Sequence, residues 1–180
     1  MARNLADTSP ERANKIVEWV VSEINSSTSE DRTRLFLLVL GNAGSIQALP
    51  TITRFVADPS PAVRSTAVLA LRWIQSSKAD LLLTEALSSD PDPAVRLEAT
   101  FALSFREPTP TTFQAQKRAF LGDEAVMVRL AVLENLWNVH KSFPEVRQIV
   151  KQSATNDHSE EVRKAATEIM ALYPKDYFDE

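Results

Sequence analysis

One seven-residue pattern returns along this chain at a nearly constant interval, and it limits the fold more than any other feature. It reads Asp58-Pro-Ser-Pro-Ala-Val-Arg64, Asp90-Pro-Asp-Pro-Ala-Val-Arg96, Asp123-Glu-Ala-Val-Met-Val-Arg129 and Asp157-His-Ser-Glu-Glu-Val-Arg163. A fainter first copy runs from Thr28 to Arg34 and has no proline. The closing arginines Arg34, Arg64, Arg96, Arg129 and Arg163 therefore lie 30 to 34 residues apart. A period of that size marks a chain built by stacking one supersecondary unit on the next.

Each copy leads into a helical run, such as Ser65-Thr-Ala-Val-Leu-Ala-Leu-Arg-Trp-Ile74 or Leu97-Glu-Ala-Thr-Phe-Ala-Leu-Ser-Phe105. Ser60 and Asp92 stand where an N-cap belongs, each followed by proline at the first helical position. Ser159 can cap the last copy and Asp123 the fourth. A shorter apolar segment precedes each turn, and Pro10–Ser26, capped by Ser9, supplies the partner for the first copy. The pattern predicts five helix pairs, at about 9–42, 45–76, 79–105, 110–139 and 143–173, in one domain over 1–180, with 174–180 as a polar tail. Only three glycines are available, too few for the tight turns of a β-rich fold. The expected fold class is all-α, a right-handed α-α superhelix.

The Asp-Pro-x-Pro-x-Val-Arg turns, with a small residue four positions after the valine (Ala67, Ala99, Ala166), resemble those of the HEAT-repeat family over nearly the whole chain. The resemblance implies an armadillo-like solenoid with its second helices on the concave side. It also implies a structural ladder of hydrogen-bonded pairs at the turns: Asp58/Arg64, Asp90/Arg96, Asp123/Arg129 and Asp157/Arg163. Thr28 replaces the aspartate in the first copy, which weakens its ladder contact. Charges repeated this regularly are architecture; residues that break the repeat are better candidates for function.

With each valine (Thr33 in the first copy) as position zero of a second helix, positions 0, 4, 7 and 8 face the core at about 100° per residue. Positions 2, 6 and 9 face the concave side, where a solvated helix should be polar. They read Leu35, Val39, Asn42; Ser65, Leu69, Arg72; Leu97, Phe101, Ser104; Leu130, Glu134, Trp137; and Lys164, Glu168, Ala171. The first four sets are largely apolar and the last is polar, as suits a terminal cap. Leu35, Val39, Leu69, Leu97, Phe101, Leu130 and Trp137 are the candidate partner-binding stripe, with Arg72 and Glu134 at its edges setting register. Exposed apolar stretches of this kind mark interaction surfaces. Trp73 reads as a plug between repeats and Trp19 as core.

The stretch Leu38-Val-Leu-Gly-Asn-Ala-Gly-Ser-Ile-Gln-Ala-Leu-Pro50, with Ala67–Ile74 and Val95–Pro108 after it, also resembles the helical domain of large lipid transfer proteins, the vitellogenin group. That likeness implies a concave face packed on a β-sheet domain of a longer protein, or on lipid. Gly41 and Gly44 have a plainer reading, in which glycine with Asn42 ends a helix in the left-handed conformation.

The formal net charge of −4 opposes nucleic acid as a partner, since phosphate binding needs a basic stripe. With no cysteine there are no disulfides and no thiolate metal sites. His140, at a helix end, and His158, in a turn, have no partners readable in sequence, so neither a metal nor a catalytic site is expected. There is no glycine-flanked nucleophile turn and no phosphate loop. Some HEAT-like proteins act on bilins or damaged DNA bases, which requires a chromophore pocket or a basic concave face; neither is legible here. No signal peptide is evident and the longest apolar run, Leu35 to Leu40, is far too short to span a membrane, so a cytoplasmic location is the default. The sequence thus points to a scaffold without catalytic residues or cofactors. Its partner would be a protein or peptide, or a second copy in a homodimer.

Overall fold

Apolar residues recurring at helical spacing give helices throughout the described residues, and four of these helices start with Ser, Asp or Thr directly ahead of proline. The computed structural model describes residues 5–178. The chain falls into two compact units, Met1–Glu107 and Pro108–Glu180. In the first lie α1 (Leu5–Thr8), α2 (Pro10–Asn25), α3 (Glu30–Ala43), α4 (Leu49–Phe55), α5 (Pro61–Ala70), α6 (Ser77–Ser89) and α7 (Pro93–Leu103). Short 3-10 turns at Ile46–Ala48 and Leu71–Trp73 lead into α4 and out of α5. The second unit holds α8 (Pro110–Gly122), α9 (Val126–Asn138), α10 (Glu145–Asn156), α11 (Glu160–Ala171) and a closing 3-10 turn, Lys175–Phe178.

Helices pair as α2 with α3, α4 with α5 and α6 with α7, and α3, α5 and α7 pack in succession. In the second unit α8 pairs with α9 and α10 with α11, and α9 packs on α11. Positions 0, 4, 7 and 8 are buried throughout α3, α5 and α7: Thr33, Leu37, Leu40 and Gly41; Val63, Ala67, Ala70 and Leu71; Val95, Ala99, Ala102 and Leu103. Small residues let these helices approach closely. A Cβ on Gly41 would sit 2.6 Å from the Ala70 Cα, so glycine is needed there for helix contact and not for a turn. Gly44 alone takes the left-handed conformation, at φ 66°, and closes α3. The sequence expectation that both glycines end the helix therefore holds for Gly44 and fails for Gly41.

The turn motif has one repeated hydrogen-bond scheme. Asp58, Asp90, Asp123 and Asp157 each accept, at Oδ1, the backbone N–H two residues on, at Ser60, Asp92, Ala125 and Ser159. Each arginine donates Nη1 to the carbonyl of its own turn's aspartate: Arg64 to Asp58 O, Arg96 to Asp90 O, Arg129 to Asp123 O and Arg163 to Asp157 O. Arg64 and Arg129 also reach the next repeat. Arg64 grips the Asp90 carboxylate through Nε at 2.8 Å and Nη2 at 3.0 Å, and Arg129 reaches Asp157 at 2.9 Å. Burial pushes the Asp90 carboxyl upward, but the hydrogen bonds from Arg64 and Asp92 and the charges of Arg64 and Arg96 outweigh it and hold the group below its ordinary value. Asp157 is held low in the same way against burial, by Arg129 and the Ser159 N–H. In the first copy Arg34 donates to Thr66 Oγ1 instead, at 3.3 Å.

Several sequence expectations are corrected here. Ser60 caps α5 by position but makes no side-chain cap bond, and its own N–H is taken by Asp58. Asp123 orders its turn, yet the N-cap of α9 is Ala125. Trp19 is not core: it is 57% exposed. It meets Phe36 edge-on at 6.1 Å, while Arg32 lies 5.4 Å from the same ring. The described part of the expected polar tail, 174–178, is not solvated throughout, since Phe178 is buried and Tyr177 takes part in an aromatic cluster; residues 179 and 180 lie outside the described residues.

Candidate partner-binding face

The outward positions of α3, α5 and α7 carry apolar side chains that their own unit leaves uncovered. Leu35 is 58% exposed and Phe101 50%, while Val39, Leu69 and Leu97 are half-buried. A core leucine or phenylalanine in this fold falls near zero, as Leu37 and Phe113 do. The helices that bear these residues are held side by side. At their ends Arg72 donates Nη2 to Asn42 Oδ1, tying position 9 of one repeat to position 9 of the previous one.

An aromatic cluster adjoins this apolar stretch. Phe101 meets Phe105 at 5.0 Å and Phe105 meets Trp73 at 4.9 Å, both edge-to-face. The Arg72 guanidinium lies 5.8 Å from the Trp73 ring. Trp73 is thus half-buried beside the face, in keeping with a plug between neighbouring repeats. Phe105 had no place in the outward positions, because it follows α7 and lies beyond the helical register.

Arg106 was likewise invisible to the repeat pattern, yet it fixes this corner. Only 4% of its side chain is exposed and it pairs through Nε with Asp80. Its Nη1 donates to Ile74 O at 2.8 Å and its Nη2 to Ser76 O at 3.3 Å. It therefore occupies carbonyls left open where the helix ends after Trp73. The sequence signal was an arginine just past a helix end, in a chain whose arginines otherwise close the turns.

Two charges within the face sit at some cost. Burial lowers the pKa of Arg72, the field of Glu98 offsetting this in part. Burial raises the pKa of Glu98, with Arg72 acting against it. No carboxylate among the described residues forms an ion pair with Arg72, whose other donation, from Nη1, goes to Leu69 O at 3.1 Å.

In the second unit Leu130 is half-buried and Glu134 exposed. Trp137, expected as an outward anchor, is half-buried inside an intramolecular cluster. It stacks on His140 at 4.1 Å and on Phe178 at 5.7 Å and meets Tyr173 edge-on at 5.0 Å. His140, read as lacking partners, is buried with both ring nitrogens engaged: Nδ1 with Trp137 O and Nε2 with the Tyr177 hydroxyl at 2.9 Å. Since a carbonyl can only accept, Nδ1 carries the proton, and in the neutral ring Nε2 accepts from tyrosine. Residues some 40 positions apart make this cluster, so no local pattern announced it. An open depression of about 490 Å³ lies over the Asp123 and Asp157 turns, but its Arg129 and Asp157 are already committed to the ladder. Among the described residues no group of three or more His, Asp or Glu could hold a metal ion, and no helix is long and apolar enough to cross a membrane.

Stacked antiparallel helix pairs, joined by repeated Asp–Arg turns, define an α-solenoid. A model of HEAT repeats matches residues 17–104 and again 81–172, and the chain belongs to the HEAT-repeat family. Among solved structures, a chain from the complex of CpcE and CpcF of phycocyanin lyase from Nostoc sp. PCC7120 has a similar fold, with a TM-score of 0.62 at 18% identity. The match covers 88% of this chain and 99% of that one. No curated protein matches the chain. The likeness of Leu38–Pro50 to lipid transfer proteins is not carried by these matches, and Gly41, Gly44 and Pro50 in that stretch have structural roles in helix contact, helix closure and helix initiation.

Proposed function

We propose that this chain is a HEAT-repeat scaffold that binds a partner protein through the apolar outward positions of α3, α5 and α7. The single observation behind this reading is the row of exposed Leu35 and Phe101 with half-buried Val39, Leu69 and Leu97, on helices whose core positions are buried. Burying one such side chain is worth roughly 1.5–3 kcal/mol, so leaving several in water is a standing cost that a partner would remove. Phe101, Leu97 and Leu69 are the anchors, with Leu35 and Val39 beside them. The solved relative of similar fold comes from a complex of two proteins, which is in keeping with a protein partner. That complex belongs to a phycocyanin lyase; the reading offered for this chain is binding, because apolar side chains are what its face presents.

The test is affinity capture with wild-type protein against Phe101→Asp. The charge replaces a half-exposed ring, so the variant should keep its helical circular dichroism while losing the captured partner. Capture at wild-type levels by a folded Phe101→Asp protein would remove this face from the account. A concentration-dependent dimer that Leu97→Asp dissociates would name the partner as a second copy.

A further inference from the structure

Arg72 is unlike the four arginines of its unit that pair with carboxylates. Arg32, Arg34, Arg64 and Arg106 face Glu23, Asp31, Asp90 and Asp80, and Arg54 is exposed and donates to Asn25. Arg72 is half-buried and donates only to neutral oxygens, Leu69 O and Asn42 Oδ1. Burial disfavours the guanidinium charge, and the field of Glu98 offsets this only in part, with no hydrogen-bonded carboxylate to complete it. Glu98 is the counterpart: half-buried, forming no hydrogen bond or ion pair among the described residues, with burial raising its pKa. Arg72 stands at an outward position of its repeat, and Glu98, next to Leu97 in α7, is near enough for its charge to act on Arg72. Arg72 also departs from the repeat, since the equivalent position is Asn42 in α3 and Ser104 after α7.

The backbone of this face narrows the form of the occupant. The N–H and C=O groups of α3, α5 and α7 are spent within their own helices, and no strand edge exists among the described residues. The amide of Asn42 is engaged by Arg72. An extended peptide would lay unpaired main-chain groups over leucine and phenylalanine side chains, at a cost on the order of 1–3 kcal/mol for each one buried. A helix arrives with its backbone already paired and presents side chains alone.

We propose that the face receives an amphipathic helix of a partner protein, its apolar stripe seated on Leu35, Leu69, Leu97 and Phe101 and a carboxylate flanking that stripe paired with Arg72. A hydrogen-bond donor on the same helix meets Glu98. This rests on the scaffold reading above and specifies the chemistry of its partner. Apolar contact supplies affinity; the ion pair fixes register and rejects helices whose flank is basic.

The test uses labelled helical peptides of about 18 residues, five turns long, read by fluorescence anisotropy against the full chain. One has a leucine stripe flanked by glutamate, a second the same stripe flanked by lysine, and a third the glutamate version broken by two prolines. The glutamate peptide should bind at least about tenfold more tightly than the other two, the size expected for one desolvated ion pair. Arg72→Gln, which still offers its amide N–H groups to Asn42 and Leu69 O, should abolish the preference for glutamate. Phe101→Asp should abolish binding of all three. Equal binding of the glutamate and lysine peptides, or a preference that survives Arg72→Gln, overturns the ion pair while leaving the apolar face intact. Equal binding of the proline-broken peptide, or no binding of any peptide, overturns the helical occupant.

Discussion

Replacing Gly41 by alanine should destabilise the protein, although alanine is the better helix former. In an exposed helix interior the exchange gains up to about 1 kcal/mol. Here the new Cβ would stand 2.6 Å from the Ala70 Cα and 2.9 Å from both its Cβ and its carbonyl oxygen. Carbon atoms rest about 3.5–4.0 Å apart, so α3 and α5 must separate by about 1 Å or shift along each other. Backbone blocks the space, so no side-chain rotation can relieve the clash. Overpacking of this kind costs about 1–3 kcal/mol and occasionally more, and a rigid backbone obstacle belongs at the upper end. Set against the propensity gain, the net loss is about 2 kcal/mol. For a urea m-value of about 2–3 kcal/mol/M, the midpoint should fall by about 0.7–1 M. Urea titration followed by circular dichroism at 222 nm measures it. Gly122→Ala is the control: nothing lies within 4 Å of its Cβ position, so it should be neutral or slightly stabilising. A Gly41→Ala protein as stable as wild type would refute the close approach of α3 and α5.

Further perturbations probe other links. Arg106→Leu strands Asp80 and the carbonyls of Ile74 and Ser76, and should cost about 3–5 kcal/mol in the same titration. Wild-type stability within 1 kcal/mol would contradict its bracing role. Asp90 is held below its ordinary value, so its contribution is complete above the normal carboxylate range and lost as pH falls through the folded value. Asp90→Asn should therefore destabilise at neutral pH and flatten that acid limb of the stability curve. Glu98 runs the other way, because burial raises its value and its charged form is disfavoured in the folded chain. Glu98→Gln should raise the melting temperature at pH 7 and lose that advantage as pH drops below the ordinary range of glutamate. Tyr177→Phe removes the bond to His140 and should cost about 1 kcal/mol, with the Trp137 emission altered if that ring senses the cluster as described.

The repeat made the architecture legible because it is written in local chemistry. Proline at the first helical position starts α5 and α7 from local chemistry alone, and the valine register placed Val63, Val95, Val128 and Val162 in the core, where they are buried. The Asp–Arg turns were legible for the same reason. What the pattern missed depends on residues far apart in sequence or outside the register. Trp19 is exposed and meets the buried Phe36 only edge-on, a contact between α2 and α3 that helical spacing does not announce. Trp137 was claimed by Tyr173, Tyr177 and Phe178, which follow the last repeat and obey no period. Phe105 and Arg106 act from just past the end of α7, where helical spacing no longer says which way a side chain points. The outward phase of Leu35 and Phe101 was readable; the unpaired state of Arg72 and Glu98 was not, because it rests on what their neighbours do instead of pairing with them.

Site-specific photo-crosslinking in the native host tests the binding account most directly. A benzophenone side chain would replace Phe101 on the proposed face and, in a second protein, Leu81, which is 58% exposed but lies on α6, the first helix of its pair. The account predicts one discrete protein adduct from position 101 and none from position 81. Equal labelling from both positions, or an adduct from position 81 alone, would contradict it.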